Sequence, residues 1–245
     1  MNFEKKRFFI SLVFPGFFLL LIWMVFIMDQ SLGLELHFHG LYPRKLSGLQ
    51  GILFSPLIHG DFKHIMANSI PLMVLGTGLF YFYRDVAVRV FLLSYFMTGL
   101  FAWLAARESY HIGASGLIYS LVGFLFLSGI LRRHFGLMAI SLIIVFQYGS
   151  MIWGIFPLEE RISWESHLMG LVAGIFLAVV YRKVGPQKGE FPWSSVKDVA
   201  DSQEDDEEES GLPWYEYEVE GKRKKDINIQ GPPPPTWESD WTREE

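Results

Sequence analysis

Residues 113–131 read Gly-Ala-Ser-Gly-Leu-Ile-Tyr-Ser-Leu-Val-Gly-Phe-Leu-Phe-Leu-Ser-Gly-Ile-Leu, with no Asp, Glu, Lys or Arg among them. From Ser115 onward the stretch is apolar apart from small hydroxyls, and it is long enough to cross a bilayer as a helix with some tilt. Five similar segments flank it, at about residues 8–28, 64–83, 86–106, 135–156 and 164–181. The chain is therefore expected to be an all-α polytopic membrane protein, with six transmembrane helices over residues 1–183. The first segment follows Lys5, Lys6 and Arg7, as a signal peptide would. Its apolar run is too long for that, and no small-residue cleavage site follows, so it reads as a retained helix.

Charge sets the expected orientation. Residues 1–183 carry 14 Lys and Arg against 9 Asp and Glu, while residues 184–245 carry 7 against 17. Lys5, Lys6 and Arg7, then Arg84 and Arg89, then Arg132 and Arg133, then Arg182 and Lys183 fall on one side of an alternating six-helix bundle. The opposite loops hold fewer cations, among them Arg44, Lys45, Arg107 and Arg161. Cations gather on the cytoplasmic side, which puts both termini there. With no cysteine in the chain, disulfides, Cys-based zinc sites and a thiol nucleophile are excluded. No basic stripe with interleaved aromatics points to nucleic acid.

Two stretches stand apart from the helices. The loop 29–63 is rich in Leu, Ile and Phe, so it is expected to lie in the membrane interface or against the bundle. Residues 184–245 contain the run Glu204-Asp205-Asp206-Glu207-Glu208-Glu209 and the prolines 232–235. Such a composition reads as a disordered cytoplasmic tail. Its tryptophans leave room for a cytosolic docking partner.

Polar side chains inside a membrane bundle are costly and usually functional. Here they open alternate segments. His64 and Asn68 begin the second, spaced i to i+4 on one helix face. Ser115 begins the fourth, and His167 begins the sixth. These three segments run in the same direction, so the four residues share one depth near the outer face. A serine hydroxyl needs a base to become a nucleophile, and histidine is the usual one. The first N–H groups of the fourth helix lack intrahelical acceptors, and with His64 and Asn68 they would supply donors for an oxyanion. Gly113 and Gly116 would let a substrate backbone approach Ser115. Each feature alone has a plainer explanation, since membrane serines often bond back to their own helix and Gly170-x-x-x-Gly174 usually means close packing.

In order, His59-x4-His64-x3-Asn68, Gly113-Ala-Ser115-Gly116 and His167-x2-Gly170-x3-Gly174 resemble the motifs of the rhomboid family of intramembrane serine proteases. The likeness covers about residues 8–183. It implies a six-helix rhomboid-like bundle of the bacterial type, set in the inner membrane. It implies a Ser115–His167 dyad without an acidic third member, oxyanion donors from the Ser115 backbone, His64 and Asn68, and a ring of Tyr119 stacked on His167. The substrates it implies are the transmembrane segments of other membrane proteins, with a small residue before the cleaved bond, and no cofactor or metal. Two places depart from the family's habit: Gln50-Gly51 stands where many members carry Trp-Arg, and Ile162 and Ser166 stand where many carry Gly and Ala.

Other readings compete. His59, His64 and His167, with Asp61 or Glu165, would make a zinc site, but the helix spacing of a catalytic zinc motif is missing. A catalytically silent rhomboid-like protein that binds membrane clients is a second alternative. A transporter lacks support from paired broken helices. His59 is expected to tie the outer loop to the second helix. His37, His39, His111 and His134 are expected in loops, exposed to solvent.

Overall fold

Inside a bilayer every backbone N–H and C=O must find its partner within the protein, and a helix satisfies them locally. The apolar runs fold accordingly. The structure, a computed structural model, describes residues 3–132 and 163–184, with residues 138, 139, 142, 143, 146 and 154–156 between them. The helices are α1 (Phe3–Leu32), a short α2 (Gly51–Phe54), α3 (Phe62–Phe82), α4 (Ala87–Ala105), α5 (Ser115–Leu131) and α6 (Trp164–Val180). Tight helical turns at Leu36–His39, Leu46–Gln50 and Ser55–Leu57 fill the loop between α1 and α3. Most of the fifth expected segment and all but the first residue of the acidic tail fall outside the described residues, as does His134.

Among the described residues, three helices are long and apolar enough to cross a membrane: Lys5–Leu32, Phe62–Phe82 and Ala87–Ala105. The apolar helices α5 and α6 have 17 residues each, the short end of the spanning range. Helix α5 lies at the centre. Leu117, Ile118, Leu121, Phe124 and Leu125 join one core with Leu72, Leu75 and Leu79 of α3 and Leu177 and Ala178 of α6. A helix enclosed on all sides has no need of a polar face, which is why its sequence shows none. On α1, by contrast, Phe17, Leu20, Met24 and Ile27 are exposed, the face such a helix presents to lipid.

Helices α5 and α6 run parallel and meet backbone to backbone. A Cβ on Gly170 would lie 2.0 Å from the Gly116 carbonyl oxygen, and one on Gly174 would lie 2.0 Å from that of Ser120. Gly123 answers from α5, where a Cβ would sit 2.9 Å from the Leu171 oxygen. Lipid tails are as apolar as Leu, so membrane helices associate through close contact between small residues. At the C-terminal ends of these helices, Arg132 donates from Nη2 to the carbonyls of Tyr181 (2.6 Å) and Val184 (2.7 Å). Its guanidinium also lies over the Tyr83 ring.

The loop between α1 and α3 is tied down where the sequence departs from the family's habit. Gly51 packs so closely that a Cβ would stand 2.1 Å from Leu41 Cα, so a larger residue there would displace the chain. Anchoring falls to other groups. Arg44 donates from Nη1 to Ala106 O (2.7 Å), Trp103 donates from Nε1 to Lys45 O (3.0 Å), and the Tyr95 hydroxyl donates to Leu53 O. Leu34, Phe38, Leu46, Leu53 and Phe54 remain exposed, in keeping with an interfacial or lipid-facing loop.

Replacing Gly174 by Ala should push α6 from α5 and destabilise the fold by about 1–3 kcal/mol, the usual range for overpacking. A drop in the thermal unfolding midpoint in detergent would register it, and an unchanged midpoint would mean the seam is looser than its geometry.

Candidate active site

The segment entering α5 is held from outside. Gly113 has φ of +104°, a conformation that L side chains rarely adopt. Its N–H donates to Ser55 O at 2.8 Å. The next N–H, that of Ala114, donates to His59 Nε2 at 3.4 Å, while His59 Nδ1 lies 3.4 Å from Leu57 O. Since a carbonyl only accepts, Nδ1 carries the proton, and His59 is neutral. Burial, and then the neighbouring His64, pull its pKa down from 6.5 to about 3. His59 thus joins the loop to the start of α5, and its ring also meets that of His64 on α3 edge-on, with centroids 4.9 Å apart, on the second segment to which the sequence led us to expect a tie.

Ser115 is the first residue of α5, and His167 lies in the first turn of α6. His167 Nδ1 is 2.8 Å from Gly154 O, so it holds the ring proton. Nε2 is then a lone pair, and it faces Ser115 Oγ at 2.8 Å. The Tyr119 ring stacks on the imidazole, with centroids 4.3 Å apart and planes 13° apart. His64 and Asn68 project from the first turns of α3. Asp61 caps that helix by accepting the His64 N–H at 2.8 Å. Both side chains face Gly113, where an added Cβ would lie 2.5 Å from His64 Nε2 and 3.6 Å from Asn68 Nδ2. The Asn68 amide nitrogen is buried and has no hydrogen-bond partner among the described residues. A recess beside this cluster is lined by Ser55, Thr98, Gly99, Gly113, Gly116 and Ser166.

Every expected site residue (Ser115, His167, His64, Asn68, Gly113 and Tyr119) thus falls in one cluster. The carboxylates weighed for zinc are engaged elsewhere: Asp61 caps α3, and Glu165 accepts the Arg107 N–H. His37 and His39 are exposed, but His111 corrects its expectation. It is 4% exposed, because its backbone pairs with Leu41 and its ring is shared between Arg107 O and Ser163. A hint was present in the sequence: His111 and Ser163 precede Ser115 and His167 by the same interval.

The model for the Rhomboid domain matches residues 47–184. Uncharacterized proteins of Mycobacterium bovis and Mycobacterium tuberculosis are each 36% identical over 175 residues, covering 66% of this chain and 71% of the relative. An uncharacterized protein of Mycobacterium leprae is 31% identical over 170 residues, covering 66% of this chain and 67% of the relative. The chain belongs to the rhomboid family. Its apolar helices make it an integral membrane protein.

The neutral state of His59 has a pH signature. An unfolded histidine takes up a proton near pH 6.5, whereas folded His59 waits until about 3. Between these values the unfolded state holds more protons, so stability should decline as pH falls. Thermal midpoints at pH 7 and pH 4.5 should drop more for wild type than for His59→Gln; equal drops would place the pH response elsewhere.

Proposed function

We propose that this chain is a serine endopeptidase that cleaves transmembrane segments of other membrane proteins. One observation carries the reading: a neutral His167 offers its Nε2 lone pair to the Ser115 hydroxyl at 2.8 Å. The chemistry follows from that contact. As Ser115 Oγ attacks a substrate carbonyl, His167 takes its proton and later returns it to the leaving amine. A water molecule then releases the acyl group by the reverse proton traffic. The Gly154 carbonyl holds the imidazole where a triad would use a carboxylate.

The tetrahedral oxyanion needs donors. The Ser115 N–H, first in α5, has no intrahelical acceptor. The Asn68 amide nitrogen, without a hydrogen-bond partner among the described residues, and the His64 ring face Gly113. Water and substrate reach such a site most readily if α5 and α6 begin near the outer face, and the loop charges favour that orientation, with both termini cytoplasmic in a bacterial inner membrane. The glycine-lined recess favours a small side chain before the cleaved bond. We assign residues 184–245 no part in the chemistry; they read as an acidic, Pro-containing cytoplasmic tail, free to bind a cytosolic partner.

Ser115→Ala and His167→Ala should each abolish cleavage of a model transmembrane substrate in liposomes. Turnover by either variant at the wild-type rate would exclude the dyad. Asn68→Ala should slow kcat by about tenfold or more, as loss of an oxyanion donor does. A chain ending after Val184 should cleave as fast as the full chain, measured side by side; an inactive truncation would give the tail a role.

A further inference from the structure

A second His–Ser contact lies one turn outside the first. His111 Nδ1 and Ser163 Oγ are 2.5 Å apart. His111 precedes Ser115 by four residues, and Ser163 precedes His167 by four. The residue types are exchanged: the segment that carries the candidate nucleophile supplies the histidine here, and the segment that carries the base supplies the serine. His111 Nε2 is 3.0 Å from Arg107 O. The carbonyl can only accept, so Nε2 holds the proton, and Nδ1 turns a lone pair to the Ser163 hydroxyl. The Ser163 oxygen shares a further hydrogen bond with Ser166 Oγ at 2.7 Å.

Ser163 gives up a local role to make this contact. It occupies the N-cap of α6 yet makes no side-chain cap hydrogen bond. A serine at that position normally accepts an N–H from the first turn, which contributes about 1 kcal/mol to the helix. Its hydroxyl is turned instead toward a different segment. Beside it, the buried carboxylate of Glu165 accepts the Arg107 N–H at 3.4 Å and stands 3.6 Å from the Arg107 guanidinium. The backbone of His111 is itself fixed, exchanging hydrogen bonds with Leu41 at 2.8 and 3.0 Å. None of these bonds uses an atom of Ser115 or His167, yet all of them secure the segment before α5 or the start of α6.

The seam between these helices is made of glycines, which permit close approach but carry no side chain to set the register. A slip of one residue moves a helix by about 1.5 Å, enough to break the contact between Ser115 and His167. We infer that His111 and Ser163 are positioning residues, whose hydrogen bond sets the height of α6 against α5 and so holds His167 within reach of Ser115. The inference rests on the protease reading above.

The test uses the full chain in liposomes with a model transmembrane substrate. Ser163→Ala and His111→Leu should each lower kcat by about tenfold or more, since a misplacement near 1 Å can cost about a hundredfold. KM should hardly move. Ser163→Thr, which keeps the hydroxyl, should restore kcat, and the double variant should be no slower than the slower single, as for two groups acting as a unit. Labelling of Ser115 by a fluorophosphonate should slow in the same variants. Wild-type kcat in both singles, or additive losses in the double, would overturn the assignment. So would a fall in kcat that tracks a fall in the unfolding midpoint and is not restored by Thr. A wild-type chain that neither cleaves nor labels would overturn the protease reading along with it, whereas an active wild type with unaffected variants would overturn this inference alone.

Discussion

Two parallel helices, α5 and α6, touch at Gly170 and Gly174 through glycine and carbonyl, and the geometry of the site follows from that contact. Lipid offers no hydrophobic reward for bringing helices together, so the association relies on close contact and on the polar bonds it permits. Gly170 and Gly174 lie where any Cβ would strike the carbonyl of Gly116 or Ser120. Once the helices approach this closely, Ser115 and His167, each within the first turn, are held at hydrogen-bonding distance, and Tyr119 has only the width of a stacked ring to occupy. A larger residue in the seam would separate the pair while leaving both helices intact.

The loop between α1 and α3 supplies what the seam lacks. A helix beginning after a glycine of positive φ has a poorly defined entry unless something fixes it. Ser55 takes the Gly113 N–H, and His59 takes that of Ala114. The loop in turn hangs from Arg44, Trp103 and Tyr95. A chain of bonds therefore runs from α4, through the loop, to the two residues that precede α5. His59 can serve in it because it stays neutral: a protonated ring would have no lone pair left for Ala114.

Much of this was legible in the sequence because the signals are local. The run from Ser115 to Leu131 reads as one helix and folds as one. The segment read from His64 to Tyr83 folds as Phe62–Phe82, since Asp61 offers a cap that the apolar pattern alone does not reveal. Alternating helix direction was enough to bring Ser115, His167, His64 and Asn68 to one end. What stayed hidden depends on partners far apart in the chain. The burial of His111 comes from Leu41 and Ser163, on separate segments, so its place in a short loop suggested exposure. The same holds for the loop between α1 and α3, whose Gly51 proves to be a contact point with Leu41 that no periodicity announces.

The unadorned start of α5 has a consequence of its own. Each helix gathers partial positive charge at its N-terminus, equivalent to about half an elementary charge. Three such termini converge here. On α3, the carboxylate of Asp61 sits at the cap; on α6, Glu165 lies in the first turn. Helix α5 begins at Ser115 behind an Ala114 cap, with no acidic residue in its first turn and no side-chain cap. Its field is left uncompensated by the side chains of its own first turn, and it is directed at the atoms around Ser115. An anion formed at that hydroxyl would meet an electrostatic environment already arranged for it, with no nearby side chain of α5 to be displaced first.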